Sequence, residues 1–580
     1  MIELYYRCKT LVARHWQWFI VVALMAGFFV LASVYNHATQ RADFVKWSSP
    51  DETANYFLTK LYAETGGLTY TDQDNLYAQG IIMPRSLRTD GSLVKPVSFL
   101  GMILIYGQIA SFVGVEFIPY LTPALAALGL LFFYLIVRRL FKSEVALVAT
   151  VLLSTFPVYW YFSARSMFHN VPFVVLWIMG LYFALRMTET RATLQADWSG
   201  EEKKRHYLTW LWSALAGLLM GAAVTVRSSE LLWLLPLLGV LWVFNFYRLG
   251  VWRPMIFVYF FALALAPIMF WNTVLYGGPL ASGYPKLAQS ISGISSSTAQ
   301  IAQASVVADH SRLQMAWEAL KQSVFTFGFN AGHSRDMAYQ YIYKMFGWLV
   351  LAATLGLGAL IWRTEGRRKD DLVYMLALGV LSVILIFYYG SWVFYDNPDP
   401  NSFTIGNSYT RYWLPIYLGL LPLAALIIVR ASNSLKWRPA VWLARVLVIV
   451  AIGYASVYFT LYGSEEGLVP SARRQLIARN ELKSVLALTP AEAVIITRYH
   501  DKLVWPERRV IMGLLTDQRM NELYAALVKH DVPVFYYNFS FSDQDLAYLN
   551  SSKLAPLGIK MDKIRQITKD FTLYQLKVVE

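Results

Sequence analysis

What most limits the folds open to this chain is a succession of apolar stretches between Trp16 and Tyr462. Each is close to the roughly 20 residues that an α-helix needs to cross a bilayer. In hydrocarbon, backbone N–H and C=O groups must be satisfied within the segment or within a closed barrel, and uninterrupted apolar runs of this length are helices. Spans are predicted at 16–35, 117–136, 144–161, 171–185, 207–224, 231–246, 255–276, 348–362, 372–389, 413–429 and 441–462, about eleven in all. With 57% hydrophobic residues, 20 Trp and a mean hydropathy of +0.42, the composition excludes a soluble protein. The expected architecture is an α-helical polytopic membrane protein.

The formal charge of +14 does not point to nucleic acid. Its Lys and Arg residues cluster in short loops between alternate spans, as at Arg138, Arg139 and Lys142, Lys203 to Arg205, and Arg430 to Arg438. That distribution is the positive-inside pattern, and it orients the chain with its N-terminus in the cytoplasm. An odd number of spans then puts the C-terminus outside. The single cysteine, Cys8, allows no intrachain disulfide and no cysteine-based metal site. The first span follows Arg7, Lys9 and Arg14 without an evident cleavage site, and it reads as an anchor.

Between the first two spans lies an outer loop, 37–116, too long for a simple connection. Its segment 96–114 is apolar, but counting it as a span would place every later basic loop outside, so it is expected to lie along the interface. Ahead of it, Ser49-Pro50-Asp51-Glu52 has the form of a capping box, with Pro50 at the first helical position and Glu52 three residues after the cap. The box accounts for Glu52 structurally. It leaves Asp51 projecting from a helix start at the membrane surface, where a carboxylate can serve either helix stability or base catalysis.

A second outer loop, 277–343, carries Tyr284, Lys286 and His333 amid Gly, Ser and Ala, and its length suggests a mobile lid. Other outer loops present Arg165 and His169, then the stretch before the tenth span with Arg411 and Tyr412. The division expected is a membrane domain, 1–462, followed by a soluble extracytoplasmic α/β domain, 463–580. Strands are predicted at 493–497, 509–512, 533–537 and 571–574, with a helix at 517–529. No nucleotide-binding glycine motif is found in that domain.

The stretches Pro50-Asp51-Glu52, Val224-Thr-Val-Arg-Ser-Ser-Glu-Leu-Leu-Trp-Leu-Leu-Pro236, Asn272-Thr-Val-Leu-Tyr-Gly-Gly-Pro279 and Tyr409-Thr-Arg-Tyr412 occur in this order along the membrane part. Together they resemble the GT-C superfamily of integral-membrane glycosyltransferases, in particular the branch of protein O-mannosyltransferases and aminoarabinose (lipid A) transferases. Phe168-His169-Asn170 departs from the resemblance, since many relatives carry an acidic residue there. The resemblance implies transfer of a monosaccharide from a polyprenyl-phosphate donor to a hydroxyl of a lipid, glycan or protein acceptor, with inversion, at the outer face of the cytoplasmic membrane. It implies Asp51 as the base and a basic residue at the donor phosphate. Arg411 is the first candidate because its fork can hold a phosphate bidentately. Glu52, Tyr412, Lys95, Arg165, His169, Arg227, Tyr284, Lys286 and His333 are further substrate-binding candidates. For each cation the structural alternative is a side chain snorkelling to lipid headgroups.

No cofactor is expected to be required. A metal-dependent lipid-linked oligosaccharide transferase would need several acids around a divalent ion, and Asp51 and Glu52 are the only pair so placed in the sequence. A lipid-linked glycan flippase or transporter is the alternative from another class; the internal repeats and midplane charges typical of transporters are not evident.

Overall fold

The computed structural model describes residues 2–190, 199–284, 314–315, 318, 324–325, 328–362, 369–394, 396 and 402–579, with side chains from residue 16 onward. The chain divides into two compact units, 1–34 with 120–469 and 35–119 with 470–580.

The first unit is helical, and the protein is a multi-pass membrane protein. Among the described residues eight helices are long and apolar enough to cross a bilayer, and ten if each of two bent pairs counts as one crossing. The expected span at 144–161 is one such pair, Ser143–Thr155 and Pro157–Ala164, bent by 51°. Pro157 supplies the physical reason, because it has no N–H to continue the ladder. The other pair, Ala331–Lys344 and Gly347–Ile361, turns through 90°, so part of the expected outer loop 277–343 is helical. The fourth expected span, 171–185, is the 17-residue helix Asn170–Arg186, apolar but short for a full crossing.

Helix packing follows residue size. Gly217 and Gly221 lie one turn apart on Gly200–Val226, where an added Cβ would come within 2.2 Å of Phe257 O and 2.6 Å of Phe261 O. Small residues spaced by four let two backbones meet where apolar burial cannot drive association, since lipid is as apolar as a helix face. The partner, Trp252–Tyr276, carries an apolar window with none of its residues buried, the exposure expected of a helix that meets lipid. Leu414–Asn433 is the opposite case, largely buried.

The second unit joins residues 35–119 to the C-terminal segment, 470–580. Its main sheet has five strands in the order Arg509–Met512, Val494–Thr497, Val534–Phe539, Phe571–Val578 and Ile559–Gln566, the first three parallel and the last two antiparallel. The predicted helix forms over Gln518–Lys529, with Asp517 as its cap. Loop and sheet are linked repeatedly: Ile82 and Met83 pair with Ile511, Tyr77 stacks on His530 at 4.0 Å, and Arg509 binds Asp72 and Asp74. Arg479 and Lys483 bind Asp43 at 2.6 and 3.0 Å, and their hydrogen bonds, Arg479's first, hold its carboxyl at about 2. The second unit therefore draws on both sides of the expected boundary at 462. Gly101–Val113 has 13 residues, a rise of about 20 Å and too little to cross about 30 Å of hydrocarbon.

Candidate active site

In the membrane unit three guanidinium groups come from breaks between helices, where side chains need not follow a helical face. Arg165 ends Pro157–Ala164, and four residues later His169, itself buried, precedes Asn170–Arg186. Arg227 lies in extended conformation (φ −148°, ψ 93°) between Gly200–Val226 and Leu231–Leu249. Arg411 belongs to the short helix Ser408–Tyr412, capped by Asn407, whose Oδ1 accepts from Tyr409 N at 3.0 Å.

Two aromatic rings gather these cations. Arg411 lies over Phe168 at 4.3 Å and Arg165 over the same ring at 4.9 Å. Tyr412 receives Arg227 at 4.7 Å and Arg411 at 5.3 Å. Asn170 Nδ2 donates to Arg411 O at 3.4 Å, tying the two loops together. Attraction between cation and π-face partly offsets the mutual repulsion of the charges, but an anion would offset it far better.

The three arginines differ in how they are satisfied. Arg227 pairs with Glu230 at 2.8 Å; its Nη2 donates to Tyr389 OH at 3.1 Å, and that hydroxyl donates to Glu230 Oε1 at 2.6 Å. Trp233 Nε1 also donates to Glu230, and Tyr389 stacks on Tyr412 at 4.4 Å. Arg165 Nη1 donates to Tyr161 OH at 2.8 Å. Arg411 donates to Ser408 Oγ at 2.7 Å, while its buried Nε has no hydrogen-bond partner. No carboxylate among the described residues pairs directly with Arg411. Asp396 reaches it only through Ser408, accepting from Ser408 N at 3.0 Å, from Ser408 Oγ, and from Asn407 Nδ2 at 2.8 Å. A half-buried guanidinium whose enclosed Nε is left without an acceptor is suited to an oxyanion.

The buried Arg227–Glu230 pair has a separate consequence. Removing one partner of such a pair leaves a desolvated charge, at a cost of about 3–5 kcal/mol. Glu230→Ala is expected to lower the thermal unfolding temperature in detergent markedly, with Glu230→Gln less severe because it can still accept from Tyr389. Equal stability of wild type and Glu230→Ala would show that the pair does not support the fold.

In the second unit Asp51 and Glu52 begin the helix Pro50–Thr65. Glu52 is buried and accepts from Ser49 N at 3.2 Å, the carboxylate half of the expected capping box. Asp51 is half-buried, and its Oδ1 accepts a hydrogen bond from Ser86 Oγ.

No protein-family model and no curated protein matches the sequence. Solved structures do. ArnT from Cupriavidus metallidurans bound to undecaprenyl phosphate matches with a TM-score of 0.52 and 13% identity over 96% of this chain and 97% of that one. Its apo state matches with a TM-score of 0.51 and 13% identity over 98% and 99%. The Archaeoglobus fulgidus oligosaccharyltransferase tethered with an acceptor peptide matches with a TM-score of 0.50 and 12% identity over 97% of this chain and 74% of that one. The chain has the GT-C fold.

Within that fold the structure sorts the candidates named from sequence. Arg165, Arg227, Arg411 and Tyr412 converge on one cluster, and Asp51 and Glu52 share one helix start in the other unit. Lys95 is buried and engaged across its hairpin by Asp90 at 2.7 Å. His333 Nε2 lies 2.9 Å from Tyr409 OH, whose proton goes to Trp392 O, so Nε2 is the donor. Tyr284 N donates to Ser282 Oγ at 3.2 Å in a tight turn, and Lys286 lies outside the described residues.

Sequence reading missed Phe168, Glu230, Tyr389, Asp396 and Ser408. Glu230 was accessible, since an Arg and a Glu three residues apart can pair locally. Tyr389 and Asp396 carried no such signal. No group of three or more His, Cys, Asp or Glu able to hold a metal occurs among the described residues.

Proposed function

We propose that this protein is an inverting glycosyltransferase that moves a monosaccharide from a polyprenyl-phosphate donor to a hydroxyl of a lipid, glycan or protein acceptor. The observation that carries the proposal is the Arg411 guanidinium, half-buried beside Arg165 on the Phe168 ring, with its buried Nε unsatisfied. The GT-C fold, shared with an ArnT structure that holds undecaprenyl phosphate, supports a lipid-phosphate ligand for such a cluster.

The reaction needs charge stabilisation at one end and a base at the other. The acceptor oxygen attacks the anomeric carbon as the bond from that carbon to the phosphate oxygen breaks, with its electron pair staying on the phosphate. The donor phosphodiester becomes a monoester and gains a negative charge, which Arg411 and Arg165 would meet. The acceptor hydroxyl proton passes to Asp51. Arg227, committed to Glu230, would keep Tyr412 in place beside Arg411. Glu52 would hold the helix start, and Lys95, His169, Tyr284, Lys286 and His333 remain substrate-binding candidates. The membrane lipid surface is the setting, with the 463–580 region outside the cytoplasmic membrane and the N-terminus inside.

Purified protein in detergent is expected to transfer sugar from a polyprenyl-phosphate-linked donor to a lipid or glycan acceptor with neither a gradient nor a second compartment. Donor recovered unchanged, by a protein that nevertheless carries lipid-linked glycans across vesicle membranes, would favour a transporter. Activity that vanishes with a chelator and returns with a divalent ion would favour the metal-dependent oligosaccharide transferases.

A further inference from the structure

Ser86 stands at φ +70°, a left-handed conformation that glycine enters freely and other residues enter at a cost. A serine at such a position uses its side chain, and here the hydroxyl donates to Oδ1 of Asp51. The residue before it is gripped from the C-terminal segment. Arg85 N donates to Asp501 Oδ2 at 3.1 Å, Nε to the same oxygen at 3.0 Å, and Nη2 to Oδ1 at 2.6 Å. Asp501 is fully buried at the start of the short helix Asp501–Val504. Two residues earlier, Met83 pairs with Ile511 of the sheet.

We propose that Asp501, acting through Arg85, is a positioning residue that holds the Ser86 hydroxyl on one oxygen of Asp51 and leaves the other oxygen to the acceptor. The inference rests on Asp51 being the base. A carboxylate at a helix start can turn about its side-chain bonds, and a base must offer one lone pair in one direction. A donor fixed on Oδ1 supplies that direction. The neighbouring charges are engaged elsewhere. Glu52 accepts from Ser49 N, Lys502 donates to Ser48 O, Lys95 binds Asp90, and Arg85 binds Asp501.

Ser86→Gly in the full-length protein is the decisive variant, because glycine suits the φ of +70° and carries no hydroxyl. Its unfolding temperature should stay level or rise. Without the donor the carboxylate is free to turn, so kcat per folded molecule should fall by about tenfold while KM for the lipid-linked donor stays level, as loss of orientation at the reacting centre implies. Asp501→Asn should lower kcat in the same way. If that buried variant folds poorly, Arg85→Gln removes the same anchor from its half-exposed end. An unchanged kcat in Ser86→Gly, while Asp51→Asn is inactive, overturns the positioning role alone. A kcat that falls in Ser86→Gly but in neither anchor variant overturns the role of Asp501. Wild-type transfer by Asp51→Asn would instead refute the base assignment beneath it.

Discussion

Asp51→Asn is expected to abolish most sugar transfer while expression and donor binding persist. Two roles compete for this side chain, and the substitution separates them. As a helix-start carboxylate, Asp51 favours the positive end of Pro50–Thr65, and Asn, itself a good residue near a helix start, should cost about 1 kcal/mol or less. As a base it supplies an oxygen that accepts a proton in the transition state, and its loss should approach the roughly 10²- to 10⁴-fold typical of such groups. The hydrogen bond from Ser86 makes Asn a fair mimic, because its amide oxygen can accept that bond and keep the local geometry. The residual defect then reports basicity rather than shape. Glu52, buried with its carboxylate on Ser49 N, should behave differently: Glu52→Gln retains an acceptor for that bond and should lose less activity. The readout is product formed at saturating donor, set beside donor binding. An Asp51→Asn protein turning over near the wild-type rate would end the proposed mechanism.

Hydrophobic length made the membrane unit legible in sequence, because the bilayer imposes it on each span separately. Broken helices were harder to read. The run 144–161 has the composition of one span, and only Pro157 signals the 51° bend that lets Arg165 leave the helix close to Phe168. In the soluble unit, parallel strands buried on both faces gave continuous apolar runs such as Val494–Thr497. The edge strand Ile559–Gln566 escaped prediction, since Lys560, Asp562, Lys563 and Arg565 give it the charged character by which edges avoid further pairing. Contacts between distant segments were illegible in principle. Arg85 and Asp501 are 416 residues apart, and neither has a local pattern that names the other. Their pairing, with those of Arg509 and Asp43, is also why the first outer loop belongs with the C-terminal segment rather than with the helices around it.

Arg411→Ala should lose about 10²- to 10³-fold in turnover, the effect of removing one strong donor from a developing anion. The magnitude follows from burial. A guanidinium at an exposed membrane surface would be screened and replaceable by its neighbours, but Arg411 is partly enclosed by Phe168 and Tyr412 and has an unsatisfied Nε. Charge in such a setting acts through a low effective dielectric. Arg165 cannot fully take over, because its Nη1 is already directed at Tyr161 OH. Nor can Arg227, which is bound to Glu230 and Tyr389. Lys at position 411 should restore only part of the rate, since a point charge on a flexible stem lacks the planar fork that matches two phosphate oxygens. A lipid-anchoring role predicts another pattern: Lys would snorkel as well as Arg, and Ala would lower membrane stability with little change in turnover of the protein that remains. Measuring turnover per folded molecule for Ala and Lys side by side distinguishes the two, and equal rates in wild type and Arg411→Ala would move the phosphate to Arg165.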